Sequence, residues 1–327
     1  MQADGEFDLI ARYFKRSPPD RMLGVGDDCA LMPLSAGCEL AVSTDMLVEG
    51  RHFLPGADPG ALGHKALAVN LSDLAAMGAR PLACTLALCL PAVDHAWLAA
   101  FSEGFHALAR DTHCPLVGGD TTRGDRVVLS VTVLGEVRRS HALRRDAARV
   151  GDDVWVSGTL GAADLALRLV LGQLPADPER LRATQSALDR PTPRLKLGRY
   201  LAGVAHAAID ISDGLLQDFG HIVQASHCGA DLWLDALPAH PALAGLDESL
   251  RREALLAGGD AYELCFTARP LWREQIEVLG RQLGVPVTRV GTLVRGQGVR
   301  VLDGSGQVVP VTRRGFDHFT DPCGDRA

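Results

Sequence analysis

The chain has 327 residues, of which 47% are hydrophobic and 22% are charged, and its formal net charge is −7. This is the composition of an ordinary globular protein with room for two domains, and the acidic balance argues against a nucleic-acid partner. The N-terminus lacks an apolar signal segment and no apolar run reaches the ~18 residues of a membrane span, so we expect a cytoplasmic protein without membrane contact.

Helical and strand patterns alternate along the first half of the chain. Phe7, Ile10 and Phe14 recur at helical spacing and predict a helix over residues 6–16. The apolar run at 82–90 is almost unbroken, which predicts a strand buried on both faces. The other predicted elements are a strand from Cys38 that ends in a turn at Asp45, a helix over 63–78, a helix over 94–112 and a strand over 126–137.

A basic and polar stretch at residues 138–152 separates this half from a second α/β segment. We therefore predict two domains, residues 1–138 and residues 139–327, in a mixed α/β fold. In the second domain the predicted strands are 154–158, 207–212, 231–237, 262–268 and 287–294, and the predicted helices are 162–171, 194–205, 214–226, 250–257 and 271–283.

Acidic clusters set among small residues are the most informative feature of the sequence. Each aspartate lies at or near the end of an apolar run, where a strand or helix would give way to a turn. We expect these carboxylates to converge on one pocket, where they repel each other unless cations lie between them. Mg²⁺ binds carboxylate oxygens and is usually shared with substrate phosphates, so the pattern predicts phosphate chemistry. The clusters are GVGDDCA (24–30), STDMLVEGRHF (43–53), NLSDLAAMGA (70–79), GGDTTRGD (118–125) and IDISDG (209–214).

The first two clusters each contain a candidate metal ligand. Asp28 follows Asp27 in a glycine-flanked turn, where such acids are either ligands or solvated turn residues. Asp45 follows Ser43 and Thr44, whose hydroxyl groups offer neutral oxygen ligands beside a charged one. Asp45 is the stronger candidate of the two.

The next two clusters carry one candidate each. Asp73 interrupts an apolar helix, where a buried carboxylate requires a partner. That partner is either a metal ion or a capping or buried hydrogen bond. Asp120 follows Gly118 and Gly119, whose missing side chains would let a phosphate approach the backbone of a turn.

The candidates in the second half are grouped where a strand meets a helix. Asp210, Ser212 and Asp213 occupy this junction. Asp213 is either a ligand or the helix N-cap, and the start of the helix favours a bound anion. Arg144 is either a guanidinium clamp on polyphosphate or part of a solvated basic linker. His52 is isolated, and an isolated histidine is more often structural.

Taken in order, these motifs resemble the thiamine-monophosphate kinase family of the PurM-like ATP-binding superfamily, over nearly the full length of the chain. The resemblance implies a PurM-like two-domain fold, with N-terminal strands in a dimeric β-barrel and a C-terminal α/β sandwich. It also implies a homodimer that uses ATP and several Mg²⁺ ions to phosphorylate thiamine monophosphate to thiamine diphosphate. The motifs that carry it are GVGDDCA, STDMLVEGRHF, KALAVNLSDLAAMGA, GGDTTRG, AIDISDGL and YELCFT.

By position, the resemblance also implies roles for individual residues. The implied Mg²⁺ ligands are Asp28, Ser43, Thr44, Asp45, Asp73, Asp120, Asp210 and Asp213, of which Asp45, Asp120 and Asp210 are taken as catalytic. The implied nucleotide contacts are Gly119, Asp120, Arg144 and Ser212, and the implied contacts with thiamine phosphate are His52, Asp260 and Phe316. The family's usual GGED reads GGDA at 258–261, which shortens the first acid and removes the second.

Elementary chemistry agrees with this activity. A phosphate-monoester acceptor is already anionic near neutral pH, so the main obstacle is repulsion between two phosphates, which metal ions relieve. We expect direct in-line transfer without a phosphoenzyme. Two alternatives stay open. One is another PurM-like enzyme, of the selenophosphate or aminoimidazole ribonucleotide synthetase type, although no cysteine precedes Cys29. The other is a non-enzymatic protein that binds divalent ions.

Overall fold

The computed structural model describes residues 5–316, which form two compact units. The first unit contains residues 5–74 and 79–139, and the second contains residues 75–78 and 140–316. Each unit is built around one β-sheet. No helix of the described chain combines the length and the apolar character needed to cross a membrane.

The first unit combines a four-stranded sheet with helices. Its elements are α1 Glu6–Leu9, β1 Cys38–Val48, α2 Pro59–Ala76, β2 Arg80–Leu90, α3 His95–Thr112, β3 Leu116–Arg123 and β4 Val128–Arg138. The strands lie in the order β1-β4-β2-β3, so β1 and β3 are the edges. β4 pairs antiparallel with both β1 and β2, whereas β2 and β3 are parallel. A π-helical segment, Ile10–Phe14, continues α1.

Glycine contacts bring α2 and α3 into close approach. A Cβ atom on Gly63 would lie 2.1 Å from the carbonyl oxygen of Phe101, and one on Gly104 would lie 1.9 Å from the carbonyl oxygen of Gly60. No residue with a side chain fits at either position without moving a backbone, because these distances are far below van der Waals contact. The two helices are therefore fixed against each other through their main chains.

The second unit combines a six-stranded sheet with helices on both faces. Its strands are β5 Asp153–Ser157, β6 Ala205–Asp210, β7 Gly229–Trp233, β8 Leu264–Ala268, β9 Val287–Val294 and β10 Gly298–Leu302. Its helices within the described residues are α4 Ala162–Val170, α5 Pro178–Asp189, α6 Leu195–Leu201, α7 Leu215–Ala225, α8 Glu248–Leu256 and α9 Arg273–Leu283. The strands lie in the order β10-β7-β9-β5-β8-β6.

Alternate residues of β5 pack into two different hydrophobic clusters. Val154 and Val156 belong to the cluster that contains Phe219 of α7. Trp155 belongs to the cluster that contains Ile276 of α9. Because successive side chains of a strand point to opposite faces, both faces of this sheet are covered.

The predicted mixed α/β class is confirmed, and most predicted elements are present within a few residues of their predicted bounds. Helix α5 and strands β3 and β10 were not predicted. The predicted turn at Asp45 is wrong, because β1 continues to Val48 and Asp45 pairs with Val131 of β4. The division into domains of residues 1–138 and 139–327, and the dimeric barrel, stay predictions.

Replacing Gly104 by alanine is expected to lower the free energy of unfolding by about 1–3 kcal/mol, because the new methyl group meets a backbone carbonyl. Gly220 of α7 is the matched control, since a Cβ atom there meets no atom within 4 Å. Gly220→Ala should leave stability unchanged or raise it by up to ~1 kcal/mol, as expected inside a helix. Denaturant unfolding followed by circular dichroism compares the two variants. Equal effects would contradict the close helix contact.

Candidate functional site

A cavity in the first unit brings together two of the acidic clusters. Its volume is about 450 Å³, and Asp28, Gly119 and Asp120 all line it. Carboxylates and exposed main chain therefore face an apolar wall, which is the combination that small-molecule sites usually offer. The apolar wall is formed by Phe7, Ile10, Phe14, Val25, Leu86, Leu116 and Val117.

Gly119 lies within strand β3, so the predicted turn at this position is wrong. Its φ of +152° is unfavourable for other residues, and a Cβ atom there would lie 1.9 Å from the carbonyl oxygen of Leu86 on β2. Gly118 is not restricted in this way, because its Cβ atom would lie 3.8 Å from Cγ2 of Thr85. Of the two adjacent glycines, only Gly119 is required by the backbone.

A second group of candidates lies where β1 meets α2. Oγ of Ser43 donates a hydrogen bond to Oδ2 of Asp73 at 2.6 Å. The main-chain N–H of Asp45 donates to Oδ1 of Asn70 at 2.8 Å. Asn70 is 1% exposed and was not identified from the sequence. The partners that a carboxylate in this apolar helix requires therefore include the Ser43 hydroxyl.

Thr44 does not take part in this arrangement. Successive side chains of a strand alternate between faces, so Ser43 and Asp45 share one face and Thr44 lies on the other. The hydroxyl oxygen of Thr44 lies 2.7 Å from that of Thr132 on β4, within hydrogen-bond distance. The expectation that both hydroxyl groups lie beside Asp45 is therefore wrong for Thr44.

The candidate ligands of the first unit are all oxygen atoms, which is the donor set that Mg²⁺ prefers. In the part of the chain that the structure describes, no three His, Cys, Asp or Glu side chains form a ready-made metal site. Across the four strands of the first unit, Asp45, Val131, Leu86 and Gly119 lie in one row. Three strand spacings amount to about 14 Å.

In the second unit, a carboxylate that the sequence did not reveal holds the loop between β6 and α7. Oδ2 of Asp218 accepts hydrogen bonds from the main-chain N–H groups of Ser212, Asp213 and Gly214, each at 3.0 Å. Asp218 belongs to α7 and is 3% exposed. Burial raises the pKa of Asp218 to about 7, the charge of Asp213 contributes to the rise, and the three N–H donors oppose it.

One alternative at this junction is decided. Gly214 is the N-cap of α7, so a capping role for Asp213 is wrong. The N–H of Gly214 already binds Asp218, and an anion at the first turn of α7 stays a prediction. Asp210 ends β6 directly before the loop and is 5% exposed.

Candidates from elsewhere in the second unit are attached to the same loop. The N–H of Asp260 donates to the carbonyl oxygen of Ser212 at 2.7 Å, and the N–H of Phe316 donates to that of Asp213 at 3.1 Å. Nε2 of Gln217 donates both to Oδ2 of Asp213, at 3.2 Å, and to the carbonyl oxygen of Phe316, at 2.7 Å. The structure therefore brings together the four candidates Ser212, Asp213, Asp260 and Phe316.

The GGDA segment keeps one acid near this loop. Asp260 has a φ of +59°, and its Oδ1 accepts a hydrogen bond from the Tyr262 hydroxyl at 3.1 Å. Ala261, at the position of the missing acid, packs against the hydrophobic core. Glu263 is buried and ion-paired with Arg194. Asp260 is thus the acid of this segment that lies at the loop.

Two other candidates are engaged in local contacts. The Arg144 guanidinium makes two hydrogen bonds to Asp146, at 2.8 and 2.5 Å, and its side chain is 66% exposed. Nδ1 of His52 accepts a hydrogen bond from the main-chain N–H of Val48 at 3.0 Å. Both contacts agree with the structural alternatives, and the roles of Arg144 and His52 in binding stay predictions.

The fold and the acidic segments place the chain in the class of PurM-like, AIR synthase related proteins. Residues 26–137 match the family model described as AIR synthase related protein, N-terminal domain. The chain is 47% identical to a thiamine-monophosphate kinase of Salmonella typhimurium, covering 98% of this chain and 100% of that protein. The chain belongs to the thiamine-monophosphate kinase family.

Solved structures agree with this assignment. The crystal structure of thiamine-monophosphate kinase from Stenotrophomonas maltophilia K279a is 47% identical, with a TM-score of 0.83 over 89% of this chain and 93% of that one. The structure of AaThiL complexed with AMPPCP and TMP is 31% identical, with a TM-score of 0.76 over 88% of this chain and 89% of that one.

Gly119→Ala is expected to lower the free energy of unfolding by about 1–3 kcal/mol, because the methyl group collides with the main chain of β2 and the backbone conformation disfavours it. Gly118→Ala is the neighbouring control and should change stability by less than about 1 kcal/mol. Thermal and denaturant unfolding measure both. A Gly119→Ala protein as stable as its control would show that β2 and β3 can separate at this point without cost.

Proposed function

We propose that this chain transfers the γ-phosphoryl group of ATP to thiamine monophosphate and forms thiamine diphosphate, in the cytoplasm. The observation that carries the proposal is full-length similarity at 47% identity to a thiamine-monophosphate kinase. A relative at 31% identity was solved with AMPPCP, an ATP analogue, and with TMP. Neither alternative from the sequence, another PurM-like synthetase or a non-enzymatic ion-binding protein, gains support from these relatives.

Each unit contains predicted oxygen ligands of Mg²⁺. In the first unit these are Asp28 and Asp120 on the cavity, and Ser43, Asp45 and Asp73 where β1 meets α2. In the second unit they are Asp210 and Asp213. Bound Mg²⁺ would offset the negative charge of the two phosphates and align them for in-line transfer.

The chain's own groups orient the ligands and the substrates. Ser43 fixes one oxygen of Asp73, and Gln217 contacts one oxygen of Asp213. A phosphate acceptor that is already anionic needs no side chain to remove a proton, so binding and alignment are the work of these residues. Gly119, Arg144 and Ser212 stay the predicted nucleotide contacts, and His52, Asp260 and Phe316 the predicted acceptor contacts.

Turnover of thiamine monophosphate with Mg-ATP tests the proposal, with free thiamine assayed in parallel. Thiamine diphosphate should form from the monophosphate only. Asp45→Asn should lower kcat by about 100-fold or more, because it removes a charge that would act on the metal in the transition state. Asp303→Asn is the control, since Asp303 accepts hydrogen bonds from a surface turn at Ser305 and Gln307. Absence of product, or an Asp45→Asn protein as active as its control, would contradict the proposal.

We also propose that the protein is a homodimer that pairs through the first unit. On β1, which is an edge strand, three apolar side chains on one face are exposed: Leu40 at 46%, Val42 at 57% and Met46 at 56%. Exposed apolar side chains on a long edge strand are unfavourable in water and favour association with another chain. A second copy of this chain would bury them. Pairing of two such sheets agrees with the dimeric barrel that the sequence resemblance implies.

Val42→Asp is expected to convert the dimer into a monomer, because it places a charge in the middle of the apolar face. Leu271→Asp is the control, because Leu271 is an exposed apolar residue of the second unit, at 66%. Light scattering after size exclusion gives the mass of each variant. A parent protein that is monomeric, or a Val42→Asp protein that stays dimeric, would show that this face is not the interface.

A further inference from the structure

We propose that Asp218 is a positioning residue for phosphoryl transfer, which holds the 212–214 loop in the conformation that the candidate ligands require. This inference rests on the proposed function. Asp218 acts through the main chain, because the groups that it binds are backbone N–H groups rather than side chains.

Three consecutive donors converge on a single oxygen atom. The N–H groups of Ser212, Asp213 and Gly214 all point to Oδ2 of Asp218 at 3.0 Å. A helix-capping side chain usually accepts one such bond, or two. The carboxylate is 3% exposed, so little water is available to replace it. Its loss would leave buried N–H groups without an acceptor, and the loop would change conformation to recover partners.

The opposite side of the same loop holds the segments that carry the substrate candidates. Main-chain carbonyl groups of residues 211–213 accept hydrogen bonds from Tyr262, Asp260 and Phe316, at 2.8, 2.7 and 3.1 Å respectively. Each peptide group of the loop is thus fixed by Asp218 on one side and by these segments on the other. A rotation of the loop would displace Asp213, Asp260 and Phe316 together.

Burying a carboxylate costs free energy that is not needed if Asp218 only closes the loop. Asp218 is 3% exposed, and a buried carboxylate costs more than a buried neutral acceptor. A neutral oxygen acceptor would close the loop at a lower cost. Three consecutive N–H groups require one acceptor within reach of all of them, and Oδ2 of Asp218 is that acceptor. Rigid placement of ligands is what an in-line transfer requires.

Three variants test this role. Asp218→Ala removes the acceptor and should lower kcat/KM for thiamine monophosphate by about 100-fold, since small displacements in a site have effects of this size. Asp218→Asn keeps an oxygen at the same reach and should recover most of that loss, with kcat/KM about three- to tenfold below the parent. Asp152→Ala is the control, because Asp152 is 2% exposed and accepts a main-chain N–H from Arg149, at the far end of β6 beside His206. It should lose stability and keep kcat/KM within about twofold of the parent at temperatures where it is folded.

Hydrogen–deuterium exchange at residues 212–214 gives a readout that does not depend on turnover. Exchange should be fastest in Asp218→Ala, intermediate in Asp218→Asn and slow in the parent and in Asp152→Ala. If the parent protein shows no turnover of thiamine monophosphate, the proposed function is contradicted. The exchange rates at residues 212–214 would still show whether Asp218 holds the loop.

Three outcomes would overturn the proposal. They are a folded Asp218→Ala protein with the kcat/KM of the parent, unchanged exchange at 212–214, and an Asp152→Ala protein that loses kcat/KM to the same extent. If Asp218→Ala does not fold, Asp218→Ser, whose shorter side chain withdraws the acceptor, takes its place. Parental exchange and parental kcat/KM in that variant would then exclude the role.

Discussion

Like charges have to be held near one another in this chain, and neutral hydrogen-bond donors take part in holding them. A hydroxyl group binds Asp73, an amide group binds Asp213, and three main-chain N–H groups bind Asp218. In Asp73 and Asp213 such donors orient a carboxylate without cancelling its charge, so the charge stays available to a cation. Several acids outside the candidate groups have arginine partners instead, as in the pairs Glu263–Arg194, Asp153–Arg273 and Asp164–Arg168.

Sheet pairing and helix packing fix the positions of these acidic groups. In the first unit, the row from Asp45 to Gly119 spans three strand spacings, about 14 Å, which keeps two acidic groups apart while leaving them on one sheet. Helix α2 carries Asn70 and Asp73 to β1, and backbone contacts at Gly63 fix that helix against α3. In the second unit, one loop joins the residues that the sequence had suggested separately.

The sequence predicted the acidic segments, the mixed α/β class and most elements, because aspartates among small residues and apolar periodicity are visible in one dimension. It did not reveal Asp218, although the cost of burying a carboxylate, which singled out Asp73, applies equally to an aspartate in the apolar stretch of α7. The alternation of side chains along a strand could have shown that Thr44 and Ser43 lie on opposite faces of the sheet. The predicted turns at Asp45 and Gly119 failed because pairing with β4 and β2 extends both strands beyond their apolar runs. Pairing between distant segments is not visible in local patterns.

The backbone contact at Gly119 limits how this chain can diverge during evolution. Any single-residue change at that position introduces a Cβ atom 1.9 Å from the carbonyl oxygen of Leu86. Neighbouring Gly118 has space for a methyl group. Substitutions that change ligand preference at this cavity are therefore expected at Gly118 or in the apolar wall at Phe7 and Ile10. Substitutions at position 119 are not expected to persist.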